Sequence, residues 1–208
     1  MPEPVSSLRA EHAAGTRAAL LHAARGLFVA KGYAATSTED VVAAARVTRG
    51  ALYHHFRDKK DLFRAVMNDV AADIVKRLVG DALDAADEAP GTLLDQLREG
   101  VGAFLDICVD GDFQRVVLVD GPTVLGPEAW EELTHRYGVS LLTDWLEQAM
   151  KSREIDELPA GDLARLLVAL LTEASLMIGR AADPHRTRHD AGRTLDRIIV
   201  GLRRPDAG

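Results

Sequence analysis

Arg49, Gly50, Tyr53 and His54 stand close together in the run "RGALYHH". On a helix they occupy i, i+1, i+4 and i+5 and share one face, with Leu52 on the opposite side. Their chemistry is that of recognition. A guanidinium forks onto guanine O6 and N7. A glycine lets the helix backbone come close to a partner. Phenol and imidazole offer phosphate hydrogen bonds or an apolar contact with a thymine methyl. Thr36 and Thr48 lie near helix starts, where hydroxyls and free N–H groups meet phosphate. Lys59 falls in the first turn of the following helix, which is poor dipole chemistry for a cation. An arriving anion explains that misfit. His55 reads as a packed or capping residue and Phe56 as core.

Catalytic patterns do not appear. There is no GxSxG, no P-loop and no HExxH. Cys108, the 1 cysteine of the chain, lies on an apolar helix face and reads as core. It leaves no partner for an intramolecular disulfide and fits a reducing cytoplasm. His185 and His189 have metal-like spacing, but they follow Pro184 in a stretch that reads as loop. No enzyme, no cofactor and no metal site is expected. No basic start precedes an early apolar run, so no signal peptide is expected. No run approaches the roughly 18 apolar residues of a membrane span.

The net charge of −7 argues against an anionic partner until the chain is divided. Residues 1–64 hold 10 Lys+Arg and 6 Asp+Glu, a net of +4. Residues 65–208 hold 15 and 26, a net of −11. A basic head on an acidic body is the asymmetry of a nucleic-acid-binding head.

The elements that position these residues read as all-α. Hydrophobic residues make up 47% and aromatic residues only 5%, with Ala and Leu dominant, which favours packed helices over sheets. Residues 1–14 read as a mobile arm. A helix from Thr16 carries Leu20, Ala24, Leu27 and Phe28 and stops at Lys31-Gly32. Ser37 with Asp40 approximates a capping box for the next helix, whose inner side is Val41, Val42 and Ala45. Val47 plugs the turn. Thr48 caps a second short helix, and Asp58 caps a long one through Leu62, Phe63, Val66, Val70, Ile74 and Leu78. Two short helices about a tight turn make a helix-turn-helix, whose second helix enters the major groove in DNA-binding proteins. Taken bare, the same unit also serves as mere packing.

The run "GYAATSTEDVVAAARVTRGALYHHFRDKKDLF", Gly32 to Phe63, resembles the N-terminal domain of the TetR family of transcriptional regulators. The resemblance rests on the Gly-aromatic pair, the Thr-Ser before the second helix, Leu-Tyr-x-His-Phe, and the step Phe56, Lys59, Leu62. With the preceding helix it covers about a quarter of the chain; beyond that only the all-helical architecture is similar. It implies a three-helix DNA-binding domain over residues 15–62. A long helix joins that to an effector-binding and dimerisation domain over residues 63–208. It also implies a cytoplasmic homodimer on a palindromic double-stranded operator, usually repressing, released by a small molecule. Arg46 departs from the family's usual glycine in the turn. Should that position need a positive φ, Arg costs on the order of 1 kcal/mol, and it adds a cation near the groove. Val42 replaces a usual alanine and widens the helix contact.

In the larger part, helices are expected over Leu93–Val109, Phe113–Val119 (stopped at Gly121-Pro122), Glu128–Met150 with a bend or break at Gly138, and residues 159–180. A polar loop then leads to a last helix, within about 187–203. The helix at 159–180 has more apolar sides than one neighbour covers. Paired with the last helix across a twofold axis, it makes a dimer interface. Phe104, Phe113, Trp130, Trp145 and Met177 either line an apolar ligand cavity or form ordinary core. Glu173 interrupts "LVALLTEASLMIG" as either a ligand contact or a structural ion pair. Asp120 reads as a helix-end residue. A sequence-blind architectural DNA-binding dimer is the alternative within the DNA-binding class.

Overall fold

Gly32 divides the first helix. The computed structural model describes residues 5–88, 91–109 and 113–204. Helix α1 (Val5–Ala35) takes φ 80° and ψ 165° at Gly32, a conformation open to glycine. Residues 5–14, expected as an arm, belong to α1; residues 1–4 lie outside the described residues. Helix α2 (Thr38–Ala45) starts on a complete capping box. Ser37 Oγ accepts from the Asp40 N–H at 3.0 Å, and the Asp40 carboxylate accepts from the Ser37 N–H at 3.1 Å. It ends at Arg46 with φ 55° and ψ 40°, the left-handed conformation anticipated for that turn. Thr48 Oγ1 accepts from the Ala51 N–H at 3.2 Å and opens α3 (Arg49–His55). Asp58 accepts from the Asp61 N–H at 2.7 Å and opens the long α4 (Lys59–Glu88).

These three-helix contacts enclose Leu20, Ala24, Phe28, Val41, Leu52, Phe56, Leu62 and Phe63, all buried. Phe28, Tyr33 and Phe63 form a ring triad with centroids 5.0 to 5.8 Å apart, a favourable aromatic spacing. Helix α4 runs on into the body. There it meets α5 (Leu93–Ile107), the π-helical segment π1 (Gln114–Asp120), α6 (Gly121–Leu125), α7 (Pro127–Thr134), the second π segment π2 (His135–Val139) and α8 (Ser140–Lys151). Helices α9 (Ala160–Arg180) and α10 (Pro184–Val200) close the body. Among the described residues the one β feature is an isolated bridge between Ile155 and Arg203.

The body differs from its sequence reading in three places. Gly121-Pro122 does not stop a helix. Gly121 is buried, and a Cβ there would lie 2.8 Å from Met67 Cε and 3.1 Å from the Trp130 ring, so the glycine serves close packing while the chain turns on into α6. Gly126, at φ 87°, ends α6. The polar stretch from residue 184 is helix, capped by Asp183, which accepts from the Arg186 N–H at 3.0 Å, with Pro184 at the favoured first turn. Gly138 lies inside π2, where the helix widens rather than breaks.

Candidate DNA-reading face and effector cavity

Helix α3 is anchored by one buried side chain, Leu52, and leaves the rest of its surface open. Arg46, Thr48, Arg49, Gly50, Tyr53 and His54 are all exposed on it. Arg49 lies over the Tyr53 ring, 5.5 Å from its centroid, and its guanidinium meets Glu39 of α2 at 3.1 Å. From sequence Glu39 reads only as an acid suited to the start of α2. Its own backbone N–H and the Thr38 hydroxyl hold its carboxyl below the ordinary range, so it remains charged opposite Arg49. The pair is exposed on both sides, so it contributes little stability. Its effect is to hold the guanidinium over the start of α3.

Two of the residues expected on this face belong elsewhere. Thr36 is 1% exposed, and its hydroxyl donates to the Gly32 carbonyl at 2.8 Å. It closes the kink at the end of α1. Lys59 is half-buried; its ammonium donates to the carbonyls of Tyr33 and Thr36, both at 2.9 Å, and lies 4.1 Å from the Tyr33 ring centroid. The misplaced cation in the first turn of α4 is therefore matched by two carbonyls of this chain, without an external anion. Together Thr36 and Lys59 tie the end of α1 to the start of α4 and so set the angle at which α2 and α3 are presented.

The same end of α1 is held from the body. The Tyr33 N–H donates to the Asp120 carboxylate at 2.8 Å. Arg115 donates to the Lys31 carbonyl at 3.4 Å and stands 3.9 Å from Asp120. A Cβ at Gly32 would collide with the Arg115 guanidinium. Asp120, read from sequence as a helix-end residue, joins π1 to the DNA-reading head.

Behind π1 lies an apolar cavity of about 300 Å³, between α4, α5, α7, π2, α8 and α9. Phe104, Phe113, Trp130 and Trp145 all line it, as do Tyr137, Gln96, Leu97, Val101, Val168 and Leu171. Phe104 and Phe113 meet edge to face at 5.6 Å. From sequence Tyr137 reads as part of the apolar stripe of its helix and not as a candidate ligand contact, and Gln96 carries no signal. Tyr137 follows Trp130 by two helical turns and precedes Trp145 by about two more, a stripe that marks one wall.

Glu173 and Met177 do not line the cavity. Glu173 is exposed and Met177 is 50% exposed. They lie on the outer face of α9 with Leu166 (64% exposed) and Leu170 (40% exposed), while Ala164, Leu167, Ala174 and Ile178 face inward. The apolar excess of this helix is thus two-sided, and "LVALLTEASLMIG" does not bury its carboxylate within the protomer. No ion pair of the described residues includes Glu173. Cys108 is buried; its sulfur lies 3.1 Å from Ser175 Oγ, and burial pushes its thiol up to about 11, which leaves it unreactive. No group of three or more His, Cys, Asp or Glu among the described residues is placed to hold a metal. No described helix is long and apolar enough to cross a membrane.

An exposed recognition helix on a three-helix head, carried by a helical body with an apolar cavity, defines a helix-turn-helix protein of the two-domain type. The sequence model of the bacterial regulatory proteins, tetR family, matches residues 20–66, and that of the tetracyclin repressor-like C-terminal domain matches residues 94–202. A TetR-family transcriptional regulator from Pectobacterium atrosepticum has a crystal structure similar to this one. Its TM-score is 0.77 at 32% identity, over 93% of this chain and 96% of that one. The HTH-type transcriptional regulator AcrR of Shigella flexneri is 33% identical over 109 residues, 52% of this chain and 48% of that protein. The transposon Tn10 TetC protein of Escherichia coli is 47% identical over 55 residues, 26% of this chain and 28% of that protein. The chain thus spans about half or less of these two curated relatives. It belongs to the TetR family.

Proposed function

We propose that the protein is a cytoplasmic, sequence-specific DNA-binding regulator. It acts as a homodimeric repressor and leaves a palindromic operator when a small molecule fills the cavity of the body. The observation that carries this reading is the exposed α3 face, where Arg49, Gly50, Tyr53 and His54 stand together with no role in the core. Arg49 reads a base, and Thr48 and Arg46 meet phosphates. The outer stripe of α9 with Ile198 of α10, 41% exposed, pairs with its copy across a twofold axis. That arrangement sets two α3 helices about 34–36 Å apart, one turn of duplex.

Selection from random duplexes at about 0.15 M salt tests the reading. Recovery of a palindrome is expected; sequence-blind retention would make the protein an architectural binder instead. Arg49→Ala removes about 1–3 kcal/mol of discrimination at one base pair of each half-site. A variant that selects the same sites as the parent would show that α3 is misassigned.

A further inference from the structure

We infer that the effector is a neutral, mainly apolar molecule of about two rings, carrying a single hydroxyl or carbonyl group. This rests on the proposed reading of the cavity as the effector site and adds the chemical class it accepts.

The inference comes from what the wall lacks. None of the residues lining the cavity carries a charge at neutral pH. A buried ion without a counter-charge is penalised by several kcal/mol or more, so both anions and cations are excluded by the same wall. The polar side chains that do reach the cavity are largely occupied. Thr134 donates to the carbonyls of Trp130 and Glu131, Thr172 donates to that of Val168, and the Trp145 indole donates to that of Leu93. Tyr137 is different. Its hydroxyl has no hydrogen-bond partner among the described residues, and it lines the cavity. With the Gln96 amide, whose Nε2 donates to the Gly91 carbonyl at 3.5 Å and whose Oε1 accepts no bond among the described residues, it is one of two polar groups left to meet a ligand oxygen. The volume of about 300 Å³ is at the small end of ligand pockets, roughly 300–1,000 Å³. The aromatic walls favour ring edges and faces.

The test uses isothermal titration of the full-length protein with three probes on one ring system: naphthalenemethanol, naphthoate and naphthylmethylammonium. Saturable binding of the alcohol is expected, with both ions at least about a hundredfold weaker. Tyr137→Phe weakens the alcohol by about tenfold and leaves naphthalene itself unchanged. At Gly100, which lines the cavity, an added Cβ meets nothing within 4 Å. Gly100→Ala therefore adds a methyl group into open space, and Gly100→Leu is expected to reach further into the cavity and remove binding of alcohol and hydrocarbon; a thermal midpoint at or above the parent's checks that the fold is kept. Equal affinity for either ion, or no binding of the alcohol, overturns the assignment. Operator binding measured on the same samples separates that result from a failure of the regulatory reading, because duplex recognition by α3 does not depend on what the cavity accepts.

Discussion

The chain has 5 Phe, 3 Tyr and 2 Trp, and the head and the body use them in opposite ways. In the head, Phe28, Phe56 and Phe63 are buried and Tyr33 joins their cluster; only Tyr53 stands out, on α3. In the body, Phe104, Phe113, Trp130, Tyr137 and Trp145 all border the cavity. Four of the head's five rings thus fill its core, while all five of the body's line a hole. Filling the head with Phe28, Phe56 and Phe63 fixes one geometry, which base reading requires. Leaving a cavity in the body forgoes packing contacts and keeps space for a ligand. On the proposed reading this difference divides the work: the filled head presents side chains, and the underfilled body takes the effector.

The largest effect is expected where neither domain is complete alone. Leu166→Glu with Leu170→Glu places charges on the outer face of α9. The protein is expected to elute as a monomer in light-scattering chromatography. Operator affinity then falls by about 10²–10⁴, the gain that coupling two heads supplies. A monomeric variant that still bound the full operator tightly would show that one head suffices.

Next comes the rigidity of the head. Lys59→Met keeps the stem and removes the two charge-assisted bonds to Tyr33 and Thr36. A loss of about 1.5–3 kcal/mol is expected in urea unfolding. Under folded conditions the salt dependence of operator binding should match the parent's, where loss of a phosphate contact would flatten the slope by about one. A large fall in salt slope with unchanged stability would return Lys59 to the phosphate contacts that its position in the sequence suggests.

Lys59 also shows what a sequence conceals. The box of Ser37 and Asp40, the cap at Thr48 and the strained Arg46 are local, three residues or fewer apart, and all were legible. The bonds of Lys59 reach back 26 and 23 residues, and that of Tyr33 to Asp120 spans 87. Local pattern says nothing about such pairs. Glu173 illustrates a different limit. An apolar run on α9 reveals two apolar faces, and periodicity alone cannot say which of them carries the protomer's own core. The rings that border the cavity, Tyr137 among them, were legible as large residues at helical spacing, a pattern that core and cavity wall share, so periodicity alone does not tell the two apart.

A smaller effect tests how the filled and hollow regions communicate. Phe113, which precedes π1, and Leu118 within it border the cavity, and Asp120 at its end holds the Tyr33 N–H. Asp120→Ala is expected to leave cavity binding unchanged in calorimetry and operator binding within about threefold. The coupling between them, typically 1–3 kcal/mol in allosteric proteins, should drop by about half or more. Full coupling in the variant would mean that α4 alone carries the response.

The smallest change lies within the head itself. Arg46 holds φ 55°, where a side chain crowds the following carbonyl at a cost of roughly 1 kcal/mol. Arg46→Gly relieves that strain but loosens the unfolded chain by nearly as much, so the net gain in stability is expected at no more than about 0.5 kcal/mol, at most about 2 °C in thermal midpoint. The same variant removes an exposed cation beside α3. If Arg46 meets a phosphate, the salt slope of operator binding flattens by about one, while base preference stays as it was because a phosphate contact carries no sequence information. A variant that is more stable and binds DNA with unchanged salt dependence would leave Arg46 as strain without function. A flatter slope would show that this turn trades stability of the rigid head for hold on its partner.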